Sequence, residues 1–201
     1  MSHEGKVKKS IAIISEAFDS YDHKSIAVAW SGHKDSTVVV HMVRKVFKDV
    51  PVLAFHNDTG DEFPEVLEFI DRVSKEWEIT VLRIKSKSKI RAIEEGVSKY
   101  GIKAYISAIR RDEHISRKVE RYFSERRTHM RVHPILDFSE EDIWRYIKDH
   151  NVPYVSLYDR GYRSLDMKGN TQEVLKRGSE RSGRDKTKEL VMARLRSLGY
   201  W

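Results

Sequence analysis

The sequence predicts an α/β fold, with an open, mostly parallel twisted sheet and helices on both faces. Four short apolar runs alternate with segments of helical periodicity, which is typical of a parallel sheet. Of the 201 residues, 39% are hydrophobic and 34% charged, as expected for one globular domain with a heavily charged surface. A chain of this length buries enough surface to fold without a disulfide or a structural metal.

The predicted strands are the four apolar runs. They are expected at Ser25–Trp30, Val50–His56, Ile79–Ile84 and Ala104–Ile109.

Helical periodicity predicts one helix after each of the first three strands. The helices are expected at Ser36–Phe47, Phe63–Trp77 and, with a weaker pattern, Lys89–Lys99. Pro64 falls in the first turn of the second helix, where a missing N–H is tolerated.

Past the fourth strand the chain is expected to be extended over His133–Phe138. Ser139 is a predicted N-cap because three acidic residues follow it, and the helix that it begins should end before Pro153.

The last part of the chain has a different pattern. Tyr158–Gly183 is rich in Gly, Arg and Ser without periodicity, and Asp185–Leu198 is predicted as a terminal amphipathic helix. We therefore expect an α/β domain over residues 1–155, and over residues 156–201 an Arg-rich loop and a helix that cover the site.

The sequence contains no cysteine, which excludes disulfides, thiolate zinc sites, iron–sulfur clusters and thiol nucleophiles in this chain. No apolar run approaches the roughly 18–20 residues of a membrane span, and no signal peptide is evident. A cytoplasmic protein without membrane contact is expected.

The net charge of +7 is unevenly distributed. Eight basic residues fall within 22 positions: Arg110, Arg111, Arg117, Lys118, Arg121, Arg126, Arg127 and Arg131. This stretch could be a solvated face, a polyphosphate pocket or a nucleic-acid surface. Arginine favours the phosphate interpretation because its guanidinium grips phosphate oxygens in pairs.

The segment Ser31–Ser36 joins the first strand directly to a helix, and its residue types suit an anion. A helix N-terminus has unpaired N–H groups and a partial positive charge, and a tight loop can aim them at a ligand. Ser31 and Ser36 add hydroxyl groups, and Lys34 adds a full charge. At the carboxyl end of a strand, the loop lies where open α/β sheets bind ligands.

These six residues, Ser-Gly-His-Lys-Asp-Ser, resemble the S-G-G-x-D-S loop of the ATP pyrophosphatase (adenine nucleotide α-hydrolase) superfamily. His33 stands where that superfamily usually has glycine. Histidine tolerates a positive φ better than most residues, which keeps the turn compatible.

Five further segments resemble members of the same superfamily. Asp58–Glu65 looks like the D-T-G-x-x-F-P-E element of PAPS reductases. Arg110–Arg117 resembles the R-R-D-E-x-x-S-R element of the ATP sulfurylase small subunit, and Ser179–Arg184 its S-E-R-x-G-R ending. Pro134–Trp144 is similar to an element found in both. Leu157–Leu165 looks instead like the L-Y-D-x-G-Y-T-S-L element of FMN adenylyltransferases.

The resemblance implies an enzyme that splits ATP between its α and β phosphates with Mg²⁺ as cofactor. It implies that Ser31, Lys34 and Ser36, in the loop with Gly32 and His33, hold the β and γ phosphates. Asp35 or Asp58 would bind Mg²⁺.

The other implied roles concern the α-phosphate, the acceptor and the adenine. Arg110, Arg111 or Arg117 would stabilise the α-phosphate or an anionic acceptor. The adenine would lie near Ala29, Trp30 and His56. Arg181 and Arg184 could either fold over the site as a lid or be solvated.

Each role has a structural alternative. Asp35 could cap its helix, and Asp58 could hold a turn. Asp112 and Glu113 could pair with neighbouring arginines, and Trp144 could belong to the core.

Sulfate is the favoured acceptor of the adenylyl group, and FMN is the alternative. Thiol-dependent PAPS reduction is disfavoured because the chain has no cysteine. RNA modification and a nucleotide-binding subunit without turnover are further hypotheses, with RNA less favoured. A GTPase partner subunit is suggested by the sulfurylase resemblance, and a homo-oligomer stays open.

Overall fold

The computed structural model describes residues 1–47, 53–58, 60–166, 168–170 and 180. Its centre is a six-stranded sheet of order β3-β2-β1-β4-β6-β5. The strands are β1 (Ile26–Ala29), β2 (Leu53–Asp58), β3 (Thr80–Lys85), β4 (Ala104–Ile106), β5 (Phe123–Glu125) and β6 (Met130–Val132). All neighbours pair in parallel except β5 and β6, which are antiparallel.

Strand β1 lies in the middle of the sheet, with Val28 in register with Ala54 of β2 and Ile106 of β4. Because side chains alternate along a strand, Val28 joins one apolar cluster and Ala27 joins another on the opposite face. The predicted open, mostly parallel sheet between helices is therefore confirmed.

The helices are α1 (His3–Ser20), α2 (Lys34–Val46), α3 (Pro64–Glu76), α4 (Lys89–Tyr100) and α5 (Glu140–His150). Helices α1, α2, α3 and α5 contribute to the larger apolar cluster, and α4 packs in the smaller one on the other face. Ser139 caps α5 as predicted: its hydroxyl accepts from the backbone N–H of Asp142, whose carboxylate accepts from the N–H of Ser139.

Helix α1 has no counterpart among the predicted elements. It buries Ile14 and Ala17 completely, and Ser10 donates from Oγ to the carbonyl of Pro134 over 2.8 Å. Lys6 also pairs with Asp142 of α5 at 2.5 Å, so contacts distant in sequence position this helix.

The predicted extended segment His133–Phe138 is wrong, because the strand lies just before it and the segment itself turns. The backbone N–H of His133 donates to Tyr122, and Phe138 donates back to Ile135. Pro134 has no N–H with which to continue a strand.

In the part of the chain that the structure describes, no helix is both long and apolar enough to cross a membrane.

Candidate functional site

The loop after β1 lies at the carboxyl edge of the sheet and leads directly into α2. Its sharp turn is at Gly32, which has φ +74°. A Cβ there would lie 2.9 Å from Cγ1 of Val66 and 3.0 Å from Cγ1 of Ile70. Gly32 thus provides both the positive φ and room for α3 to pack against the loop.

His33 is the N-cap of α2, with φ −76° and ψ 158°. The departure from glycine at position 33 therefore requires no left-handed backbone, and the tolerance of histidine for positive φ is not used. The carbonyl of His33 accepts from the hydroxyls of Ser36, at 2.9 Å, and Thr37, at 3.0 Å.

The two predicted serines lie together at the mouth of the loop. Their hydroxyls are 3.2 Å apart, and the Ser31 N–H donates to the Ser36 hydroxyl over 3.3 Å. Ser31 is exposed, whereas Ser36 is buried.

Lys34, the first residue of α2, is 1% exposed. Its Nζ donates to the carbonyl of Arg163 over 2.8 Å and to Glu180 Oε1 over 2.5 Å. Its backbone N–H donates to the Tyr158 hydroxyl over 3.1 Å, so that hydroxyl holds one of the unpaired amides of the helix N-terminus.

Arg110, four residues beyond β4, is completely buried beside Lys34. Its Nε donates to Asp35 Oδ1 over 2.6 Å and one terminal nitrogen donates to Glu180 Oε2 over 2.5 Å. The other terminal nitrogen pairs with Asp112 at 2.7 Å. Glu180 therefore bridges Lys34 and Arg110, one carboxylate oxygen to each cation.

The charges in this cluster stabilise one another. Burial alone would lower the pKa of Lys34, but the carboxylates of Asp35 and Glu180 oppose this and hold it above its usual value. Burial would raise the pKa of Asp35, yet Lys34 and Arg110 hold it well below its usual range. The pKa of Glu180 is raised, mainly by burial.

The other two predicted arginines have different environments. Arg117 is buried and pairs with Glu113, whose carboxylate also accepts from the backbone N–H of Arg110. Arg111 pairs with Asp137 and lies over the Tyr122 ring, so its contacts are to other residues than those around Lys34. The expected pairing of Asp112 and Glu113 with arginines is thus observed.

Residues at the ends of β1 and β2 lie beside the loop. Ala29 is half-buried, whereas the Trp30 side chain is in the core and donates from Nε1 to Thr37 over 3.1 Å. His56 donates from Nδ1 to the Trp30 carbonyl over 3.0 Å, and its pKa is lowered mainly by burial. Among the described residues, its Nε2 has no hydrogen-bond partner.

The two predicted metal ligands differ in their availability. Asp35 directs Oδ1 to Arg110 and has Oδ2 3.5 Å from Nζ of Lys34, an arrangement that does not fit a direct Mg²⁺ ligand. Asp58 accepts the Gly60 N–H over 2.9 Å, which is the turn role, and it is half-buried. Over the described residues, no group of three or more candidate ligands converges.

Three residues that contact Lys34 were not assigned to the site from the sequence: Tyr158, Arg163 and Glu180. All three lie within segments that resemble the superfamily, and this resemblance is the sequence signal that could have assigned them to the site. Arg181, Arg184 and the predicted terminal helix lie outside the described residues. Trp144 is half-buried against Tyr154 and Tyr158, as expected for a core residue.

Comparison with known proteins gives sequence relatives that include FAD synthases and sulfate adenylyltransferase subunits. The probable FAD synthase of Caenorhabditis elegans is 30% identical over 175 residues, covering 83% of this chain and 34% of that protein. Sulfate adenylyltransferase subunit 2 of Pseudoalteromonas translucida is 28% identical over 197 residues, covering 75% of this chain and 65% of that protein. The chain thus spans about a third of the first relative and just under two thirds of the second.

Among solved structures, Candida glabrata FMN adenylyltransferase in complex with FAD and inorganic pyrophosphate has a TM-score of 0.78 to this chain. The two are 17% identical, and the match covers 92% of this chain and 73% of that one. The similarity confirms the α/β architecture.

The profile of the phosphoadenosine phosphosulfate reductase domain matches residues 25–89 and 82–172. The matched region contains the loop, the strand ends and Arg110, together with Tyr158 and Arg163. The chain therefore belongs to the phosphoadenosine phosphosulfate reductase domain family.

Proposed function

We propose that this chain is an adenylyltransferase that binds Mg·ATP at the loop Ser31–Ser36 and transfers the adenylyl group with release of pyrophosphate. One observation carries the proposal: Lys34 and Arg110, from separate segments, converge on a single carboxylate at the N-terminus of α2. Such a position binds an anion, and a phosphate oxygen can take the place of the carboxylate.

The proposed chemistry is an in-line attack on the α-phosphorus. Negative charge then develops on the departing pyrophosphate, and positioned cations are the main catalytic resource. Lys34 would stabilise the leaving pyrophosphate, while Arg110, held by Asp35 at 2.6 Å, would stabilise the α-phosphate side. The exposed Ser31 hydroxyl would donate to a terminal phosphate.

The adenine would lie beside the ends of β1 and β2. Ala29 leaves room there because it is small, and its side chain is half-buried. Neutral His56 offers an acceptor at Nε2, which suits the amino group of adenine. We place the base next to the main chain of Trp30, because its indole is occupied in the core.

A bound Mg²⁺ would neutralise phosphate charge. Because Mg²⁺ commonly uses substrate phosphates, waters and only one or two carboxylates, Asp58 is the better candidate ligand in this chain. Asp35 would act through Arg110 and Lys34 instead.

Sulfate is our first candidate acceptor. Its support is the R-R-D-E segment, which contains Arg110 and ends near buried Arg117, together with a sulfate adenylyltransferase subunit among the relatives. That relative is named as a subunit, so a partner protein, for which a GTPase is our candidate, belongs to this proposal. The chain has no cysteine with which to reduce a sulfonucleotide through a thiol.

FMN is the second candidate, because the segment that resembles FMN adenylyltransferases contacts the site. Its residues Tyr158 and Arg163 both hydrogen-bond to Lys34. A probable FAD synthase among the relatives supports the same acceptor.

Exchange of labelled pyrophosphate into ATP tests the function and separates the acceptors. We expect exchange that depends on sulfate and is lost in Lys34→Ala, whereas Lys24→Ala, an exposed lysine change, retains it. Dependence on FMN alone would select the second acceptor. Unchanged ATP affinity in Lys34→Ala with Ser36→Ala would refute the loop as the nucleotide site, whichever acceptor is used.

A further inference from the structure

A second basic cavity lies at the far ends of α2 and α5. Its volume is about 480 Å³, and it is lined by His41, Arg44, Lys45 and His150. Lys45 is 11 residues along α2 from Lys34, which corresponds to about 16 Å of helix rise. The cavity is therefore separate from the loop that begins the same helix.

Among the described residues, the cations of this cavity are not balanced by carboxylates. Within the described ranges, neither Arg44 nor Lys45 has an ion-pair partner, and no lining residue is acidic. The nearby carboxylate of Asp149 is 3.6 Å from Nε of Arg145, on its own helix. Around the loop, by contrast, Lys34 forms ion pairs with Asp35 and Glu180, and Arg110 forms one with Glu180.

Aromatic contacts hold the side chains of Arg44, His41 and His150 in place. Arg44 lies over the Trp77 ring at 5.3 Å, and the His41 ring is 5.6 Å from the same indole. His41 Nδ1 is 3.0 Å from the Tyr146 hydroxyl, and the His150 ring lies 4.3 Å from the Tyr146 ring. A ligand would thus meet prearranged donors, which lowers the entropic cost of binding.

Basic residues in the last turn of a helix also stabilise the negative end of its dipole. Arg44 and Lys45 occupy such positions in α2, and His150 in α5. Dipole stabilisation accounts for each residue on its own helix. It does not require basic residues from two helices to line one cavity whose described lining contains no carboxylate.

We propose that this cavity is a second anion site, which binds a small multiply charged oxyanion such as pyrophosphate or inorganic phosphate, free or as part of a larger phosphorylated ligand. Arg44 and Lys45 supply its permanent charge. His41 and His150 donate further hydrogen bonds when they are protonated.

The imidazoles make the site pH-dependent. Burial, followed by His150, Lys45 and Arg44, lowers the pKa of His41 to about 4. The pKa of His150 is lowered mainly by burial and by Lys45, opposed by Asp149, with a small contribution from His3. An anion in the cavity favours the protonated imidazoles, so binding should raise both pKa values and strengthen as pH falls.

NMR titration of the histidine rings in the full chain, in phosphate-free buffer, tests the proposal. We expect pyrophosphate to shift the His41 and His150 resonances and raise their pKa values. Arg44→Gln with Lys45→Gln should lower the affinity for pyrophosphate about tenfold. The loss is modest because a near-surface pair between one cation and the anion contributes little. Lys24→Gln with Lys103→Gln, the same charge change at two exposed residues, should leave it intact.

Two comparisons make the result specific. Lys34→Ala should preserve the response, because Lys34 lies about 16 Å of helix rise from the cavity. ATP binding by the Arg44/Lys45 variant shows that this variant is folded. NaCl of equal ionic strength controls for screening. Resonances that do not move with pyrophosphate, or that respond equally to NaCl, overturn the proposal. Inorganic phosphate and a phosphorylated nucleoside, titrated separately, identify the preferred form.

Discussion

Arg110 donates from Nε to Oδ1 of Asp35 over 2.6 Å and so joins the chain after β4 to the first turn of α2, 75 residues earlier. Arg110 is completely buried and Asp35 half-buried. Such a pair is costly to break, because removal of one partner leaves the other charge buried without compensation. The geometry of the loop therefore depends on a residue distant from it in sequence.

Replacement of Arg110 by lysine should destabilise the fold by about 2–4 kcal/mol, because an ammonium cannot reproduce the forked contacts to Asp35, Asp112 and Glu180. Urea unfolding measures the change in the free energy of unfolding. Arg111→Lys is the matched control: that residue is half-buried with one carboxylate partner, and it should cost about 1 kcal/mol or less. Equal losses in the two variants would contradict this interpretation.

Replacement of Glu180 by glutamine should strengthen pyrophosphate binding about tenfold. The carboxylate is 2.5 Å from both Lys34 and Arg110, where it competes with a phosphate oxygen for these cations, and the amide lacks its charge. Calorimetric titration with pyrophosphate measures the affinity. Glu65→Gln removes a carboxylate that pairs with Arg160 and should change nothing. Weaker binding by the Glu180 variant would instead make this carboxylate part of the binding apparatus.

Gly32→Ala should destabilise the protein by more than about 2 kcal/mol and reduce ATP affinity, since it combines an unfavourable φ with overpacking against Val66 and Ile70. Gly101→Ala is the control, because that glycine has φ +65° but no atom within 4 Å of the added Cβ. Its loss should be about 1 kcal/mol, measured by thermal unfolding. If the two losses match, the contact with α3 is unimportant.

Asp142 should make stability fall in acid. Burial opposes ionisation, but Lys6, Ser139 and His3 hold the pKa of this carboxyl below its usual value. A lowered folded-state pKa contributes stability that is complete above the unfolded value and is lost as pH falls through the folded one. Asp142→Asn should therefore be less stable than wild type near neutral pH, with a difference that shrinks in acid. A gap independent of pH in urea titrations would refute the assignment.

His133 should also oppose stability in acid, for the opposite chemical reason. It is completely buried and 2.8 Å from the Ser107 hydroxyl, and burial lowers its pKa to about 3. The unfolded chain takes up a proton on His133 near pH 6.5, whereas the folded chain does not. The free energy of unfolding therefore decreases as pH falls from there towards 3. His133→Gln removes the titrating group, so the free energy of unfolding of this variant should decrease less steeply over that range. Parallel curves for variant and wild type would show that His133 does not titrate as described.

The centre of the sheet was predictable from sequence because β1 and β4 are short apolar runs whose residues are almost all buried. The loop was predictable because its six residues are consecutive in the sequence. The apolar strand before it and the helix after it place it at the edge of the sheet. Predicted helix starts were within two residues of the observed ones for α2 and α3. Phe63 became the N-cap of α3, with Pro64 in its first turn as expected.

Other features depend on contacts that no local pattern encodes. Helix α1 is positioned by Lys6 and Ser10 through residues more than 120 positions away. Strands β5 and β6 have only three residues each and exist through their pairing. Glu180 reaches Lys34 across 146 residues, so its place in the site required the fold.

The Tyr158 hydroxyl already accepts the Lys34 amide, and Glu180 already accepts its ammonium. A phosphate arriving at this turn would therefore substitute for resident oxygens instead of meeting bare donors. The measured affinity would be the difference between the contacts made to the phosphate and those lost to Tyr158 and Glu180. A nucleotide fragment could therefore bind weakly even though each of its contacts is strong. Only a ligand that replaces both the Tyr158 phenol and the Glu180 carboxylate would bind the turn with its full affinity.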